Sequence, residues 1–308
     1  MRTKRILFCL LLCIYIIPSF ASNIIKRTDA FAEKDGAKLM LDIYQSDDAE
    51  NNSPQPCLIF VFGGGFKEGE RDADDYLHYF NYFAERNITV VSIDYRLGMK
   101  GQKSPGLFNT QPIQDAISMA VEDLYSATNY LINIADELNI DTKKFIINGS
   151  SAGAITVLQA DYMDKNNFAI SEVLPKDFDY AGVISFAGAI FSNEGVPSYR
   201  QKPAPTLFFH GTADKLVPYN KLRLFNMGMF GSKSIAKRFR KEKYPYIFYK
   251  MDGLGHEVAN FPMTEFTAEV EEFIRDLVLD NKQVMIDIEY DDLTRVRPKP
   301  TTPGDYYN

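Results

Sequence analysis

Residues 147–156 read IINGSSAGAI: an apolar run that suits a buried strand, then Gly149-Ser150-Ser151-Ala152-Gly153, then the start of a helix. A strand-to-helix corner holds its central residue in a tight, strained turn, and small flanking residues relieve the crowding. Ser151 then sits at a helix N-terminus, where backbone N–H groups and the helix dipole favour developing negative charge. That is a setting for a nucleophilic hydroxyl. Ser150 is the shifted alternative without the flanking glycine pair, and a glycine-rich packing turn is the reading without chemistry. Asn148-Gly149-Ser150 also fits a glycosylation tripeptide.

A serine hydroxyl needs an adjacent base, and the chain holds three histidines. His78 lies in DDYLHYFNYF, in a helical pattern far upstream. His210 ends the apolar run of FFHGTAD, and His256 lies in the glycine-containing stretch MDGLGHEVANF between the last of these strands and the last helix. His256 is the preferred base, with His210 as the alternative. An orienting carboxylate is also needed. Asp214, in HGTADKLVP, is preferred over Asp252, which is nearer to His256 in sequence. Donors for an oxyanion are offered by VFGGGFKEGER, which lacks the Gly-Lys-Ser/Thr ending of a phosphate loop. The N–H groups of Gly64, Gly65 and Ala152 are the candidate set.

Elements must carry these groups to one edge. The runs 57–62, 88–95, 144–149, 181–188, 205–211 and 246–251 are nearly continuous and apolar, as in parallel strands covered on both faces. Helical spacing fills 73–86, 111–139, 152–163 and about 219–242, and a final helix is predicted over 263–280. Residues 24–45 read as two preceding strands at a sheet edge. The alternation predicts an α/β fold with a mostly parallel central sheet and helices on both faces.

In chain order, FGGGF, IDYRLG, GSSAGA, HGTADKLVP and GLGHE resemble the α/β-hydrolase fold carboxylesterases. The resemblance is to the group that includes hormone-sensitive-lipase-like enzymes and small exported carbohydrate esterases. The resemblance implies Ser151, Asp214 and His256 as catalytic residues, with Asp94 and Arg96 bracing loops. It departs at Phe62, where the family's His-Gly-Gly-Gly has histidine, and at Ala154, where glycine is usual. The reaction implied is ester hydrolysis without cofactor or metal. Small acyl groups such as acetyl or feruloyl on plant polysaccharides suit the absence of a long insertion. A broad short-chain carboxylesterase or lipase-like enzyme is the alternative within the class. A non-catalytic binding module on the same fold is the alternative outside it.

The remaining sequence bounds the setting. Arg2, Lys4 and Arg5 precede an apolar run over 6–17, broken by Pro18 and followed by Ser19-Phe20-Ala21. This predicts a signal peptide over 1–21, cut after Ala21, and a secreted or periplasmic protein. The apolar run is shorter than the ~20 residues of a spanning helix, so no stable membrane anchor is expected, with an uncleaved anchor as the alternative. Cleavage removes three cations from a chain of formal charge −7, which argues against nucleic-acid partners. It also removes Cys9 and Cys13 and leaves Cys57, in an apolar run. No Cys/His metal cluster is visible in the sequence. The catalytic domain is expected over 22–290, and the Pro-rich polar segment 291–308 is expected to be a flexible tail.

Overall fold

The computed structural model describes residues 23–47, 53–106 and 109–307. The expected signal peptide over 1–21 lies outside the described residues. Among the described residues, twelve strands form two sheets. The first three are β1 (Ile24–Lys34), β2 (Ala37–Ser46) and β3 (Gln55–Val61), followed by β4 (Thr89–Ile93), β5 (Ile140–Ser150) and β6 (Gly182–Phe186). Then come β7 (Ala189–Ser192), β8 (Thr206–Gly211), β9 (Lys221–Leu224), β10 (Met227–Gly231), β11 (Tyr246–Met251) and β12 (Met285–Tyr290).

The large sheet has the order β1-β2-β4-β3-β5-β6-β8-β11-β12. The β1–β2 and β2–β4 pairs are antiparallel, and every pairing from β4 across to β12 is parallel. The sequence explains the difference. In β3, Pro56 through Val61 are all buried, so both faces are covered. In β1, exposed and half-buried positions mix, as at an edge open to water.

Helices α1 (Asp74–Ala84), α2 (Gln111–Asn133), α3 (Ala152–Lys165) and α4 (Ser232–Glu242) cover the sheet. In α1 the buried Tyr79, Phe80, Phe83 and Ala84 make one stripe, while Asp74 and Asp75 occupy the first turn, where the dipole favours acids. In α2, Ala116, Ala120, Leu124 and Thr128 are buried at four-residue spacing. Almost every residue of α3 is buried, which leaves it little amphipathic signal.

Three expectations change. The helix predicted from about 219 begins only at Ser232, because β9 and β10 come first as a hairpin. Leu222 and Leu224, then Met227 and Met229, alternate with period two, and Phe225 turns the chain at a φ of 52°. The helix predicted over 263–280 is divided at Phe266 into α5 (Pro262–Glu265) and α6 (Thr267–Phe273), and its last turn is a π-helix over Ile274–Leu279. The tail expected to be loose starts with contacts to the domain and ends as α7 (Pro303–Tyr307). No helix among the described residues is long and apolar enough to cross a membrane.

Candidate active site

Ser151 occupies the corner between β5 and α3 with φ 51° and ψ −113°. A non-glycine residue there is strained, and packing holds it. Its N–H donates to Phe186 O at 2.9 Å. A β-carbon on Gly153 would lie 1.9 Å from Val61 O, and one on Gly149 would lie 2.3 Å from Gly153 itself. Glycine is required at both places for the strand and helix to meet so closely.

His256 opens a short 3₁₀ turn (His256–Ala259) after β11, and Asp214 lies in the turn after β8. The Ser151 hydroxyl and His256 Nε2 are 2.7 Å apart. His256 Nδ1 lies 2.7 Å from Asp214 Oδ2. An ionised carboxylate only accepts, so Nδ1 carries the proton and Nε2 is left to accept from serine. The other oxygen, Oδ1, accepts from the N–H groups of Leu216 and Val217 at 2.9 and 3.0 Å. Asp214 is buried, which raises its pKa, but hydrogen bonds from His210 and His256 outweigh burial and hold it below the usual carboxylate range.

The alternatives fall elsewhere. Ser150 is buried, with its hydroxyl 3.3 Å from Asn260 Oδ1. His210 is buried beneath Asp214, its Nε2 at 3.4 Å from Oδ2 and its Nδ1 at 2.8 Å from the Ser232 hydroxyl. Asp252 is exposed and accepts from the Thr212 hydroxyl at 3.1 Å. His78 is exposed on α1. Asn148 is fully buried and bonded to Tyr79 and Ile184, so the glycosylation tripeptide is closed to modification in the folded chain.

The glycine loop follows β3. A β-carbon on Gly63 would lie 3.3 Å from Ser151 Cβ, so the loop runs against the serine corner. Gly64 and Gly65 have φ values of 110° and 60°, in the range that favours glycine. Asp94 accepts from Met40 N–H and pairs with Arg71. Arg96 pairs with Asp35, Glu122 and Asp123. Both residues brace chain segments.

A cavity of about 360 Å³ opens over Ser151 and His256. Gly64, Gly65 and Ala152 line it on one side. Leu222, Leu224, Met227 and Met229 of the β9–β10 hairpin line another, and Tyr306 and Tyr307 a third. The structure brings Ser151, His256 and Asp214 together, and it adds walls that no sequence motif announces. The alternation of Leu222 with Leu224 was the available signal for the hairpin. No group of three or more potential metal ligands occurs among the described residues.

The BD-FAE family profile matches residues 41–190. Mouse carboxylesterase 1D (Mus musculus) is 27% identical over 224 residues, covering 70% of this chain and 37% of the relative. Sheep carboxylesterase 5A (Ovis aries) is 32% identical over 119 residues, covering 39% and 29%. The chain thus spans 37% and 29% of the length of these two relatives. Among solved structures, Thermogutta terrifontis esterase 2 phosphoramylated by tabun superposes with a TM-score of 0.60 at 20% identity, covering 82% of this chain and 94% of that one. The butyrate-bound form of that organism's esterase gives 0.59 at 21% identity, covering 83% and 94%. This chain has the α/β-hydrolase fold, and the proteins it resembles in sequence include carboxylesterases.

Proposed function

We propose that the protein is an exported serine esterase that cleaves short-acyl carboxylic esters through an acyl-enzyme. The observation that carries this reading is the hydrogen-bonded line from Ser151 Oγ through His256 to Asp214, with both links at 2.7 Å. Ser151 Oγ attacks the ester carbonyl carbon as His256 Nε2 takes its proton. The N–H groups of Gly64, Gly65 and Ala152 receive the charge that forms on the carbonyl oxygen. Collapse of the tetrahedral intermediate breaks the bond to the alcohol, which leaves with the proton from Nε2. Water then attacks the acyl-enzyme by the same route and releases the acid. Asp214 stays ionised throughout and steadies the imidazolium.

Export rests on the basic, apolar and small-residue order of the first 21 residues. The acyl group is proposed to be small, acetyl or a ring acid such as feruloyl, on a polysaccharide alcohol. The butyrate- and propionate-bound forms of the Thermogutta terrifontis esterase support small acids in this fold. Turnover of p-nitrophenyl esters beside acetylated and feruloylated xylan tests the reading. Release of acetate or ferulate from the polymer is expected. Hydrolysis of neither the chromogenic esters nor the polymer would remove the esterase assignment.

A further inference from the structure

The chain reaches β12 at the far end of the sheet, five strands from β3. Adjacent strands lie ~4.8 Å apart, so the glycine loop after β3 is about 24 Å away. The segment 291–302 crosses that distance over the edge that carries the site. On the way Arg295 pairs with Glu265 and lies 4.4 Å over the Phe261 ring. Arg297 lies against Gly253, in the loop that leads to His256. The crossing ends on the glycine loop itself. Lys67 Nζ donates to Tyr306 O at 2.7 Å, the Tyr306 hydroxyl donates to Glu68 at 2.7 Å, and the Tyr307 hydroxyl donates to Gly65 O at 2.9 Å. The Ser104 hydroxyl donates to Pro303 O at 3.3 Å.

We infer that Pro303–Tyr307 is a specificity-determining wall of the substrate pocket and that Tyr307 positions the oxyanion loop; this rests on the esterase reading above. Pro303, Tyr306 and Tyr307 all line the cavity that contains Ser151. Both phenol hydroxyls are engaged with the glycine loop, so the wall offers ring carbon to the substrate and little hydrogen bonding. The Lys67 ammonium sits 4.5 Å from the Tyr306 ring centre, which fixes that ring from outside. The fit is close: a β-carbon on Gly65 would come within 2.5 Å of Tyr306 Cε1 and 2.9 Å of the Tyr307 hydroxyl. A wall that close limits the size of the ester. A hydroxyl on Gly65 O also fixes the Gly65–Phe66 peptide, directly after the two peptides whose N–H groups are the proposed loop donors.

The test compares the full chain, a chain ending at Thr301, Tyr306→Ala and Tyr307→Phe. Each is checked by thermal unfolding and fluorophosphonate labelling, then assayed on p-nitrophenyl acetate and decanoate. Truncation and Tyr306→Ala are expected to raise the decanoate-to-acetate ratio of kcat/KM by about tenfold, the scale of one or two buried methylenes gained. Tyr307→Phe is expected to lower kcat about threefold to tenfold with KM and the size ratio unchanged, the scale of one net hydrogen bond. If Tyr306→Ala labels and unfolds like the full chain but keeps its size ratio, the wall is refuted. If Tyr307→Phe keeps full kcat, the positioning role is refuted. A full chain that neither labels nor turns over ester would sink the esterase reading, and this inference with it.

Discussion

The ring of Phe62 lies against the ring of Tyr95, centroids 4.4 Å apart and tilted by 31°. Both residues are buried. The Tyr95 hydroxyl points at the glycine loop, 3.2 Å from Phe62 O and 3.3 Å from Gly63 O. Aromatic packing and one phenol therefore hold the loop at the position where the resembled His-Gly-Gly-Gly pattern has histidine. Phe62, the departure from the His-Gly-Gly-Gly pattern, thus has its own structural support here.

Tyr95→Phe keeps the ring packing and removes only the donor. It is expected to destabilise the fold by about 0.5–1.5 kcal/mol, the scale of one net hydrogen bond. It should also lower kcat more than it raises KM, because the loop carries groups that act on the transition state. Urea unfolding and steady-state kinetics on one ester measure both. Unchanged kcat in a destabilised variant would confine Tyr95 to folding.

Asp214 faces two imidazoles, and they should not be equivalent. His256→Ala is expected to remove several orders of magnitude from kcat, as loss of a triad member does. His210→Ala takes a donor from the far side of the same carboxylate and leaves the Ser151–His256 link in place, so it should cost less. Assays of both variants, with circular dichroism to check folding, decide the base. A dead, folded His210 variant beside an active His256 variant would reverse the assignment.

Much of this site was legible because its residues sit in local patterns. Gly149 and Gly153 frame Ser151 for a steric reason that acts within five residues, and Asp214 and His256 each follow a readable strand. The walls were not legible for the opposite reason. Tyr306 meets Gly65 across some 240 positions, and nothing in RPKPTTPGDYYN announces that partner. The β9–β10 hairpin was hidden because its apolar residues point into a cavity, so its amphipathic pattern merged with that of α4. β12 was missed because a short strand at the sheet edge, half exposed, carries no continuous apolar run. The break at Phe266 lies within a sequence whose periodicity continues on both sides.

Stability should carry a pH signature from a residue outside the site. Burial pushes the Asp161 carboxyl up to about 7, against the opposing pull of Lys165 and the Ala204 N–H. The unfolded chain loses this proton near the ordinary value of 3.8 while the folded chain keeps it. Native protein therefore binds more protons between about pH 4 and 7, and stability from this group falls as pH rises through that window. Asp161→Asn should remove the fall, so the difference in Tm between variant and parent should grow in the variant's favour from pH 4 to 7. A difference that is flat with pH would contradict the protonated carboxyl.

Acyl preference is the finer question. Short esters are expected to exceed those of eight carbons or more in kcat/KM. Each buried methylene contributes ~0.8 kcal/mol, so a deep acyl tunnel would give a steady rise with chain length. A p-nitrophenyl series from acetate to decanoate at one pH measures it. A steady rise to decanoate would point to lipid-like substrates instead.

The central claim is that Ser151 is the nucleophile, and covalent capture tests it most directly. The full chain, Ser150→Ala and Ser151→Ala are incubated with a fluorophosphonate, and intact mass and peptide mapping locate the adduct. One adduct on Ser151 is expected in the full chain and in Ser150→Ala, and none in a folded Ser151→Ala protein. An adduct that persists in Ser151→Ala, or one mapped to Ser150 in the full chain, would contradict it.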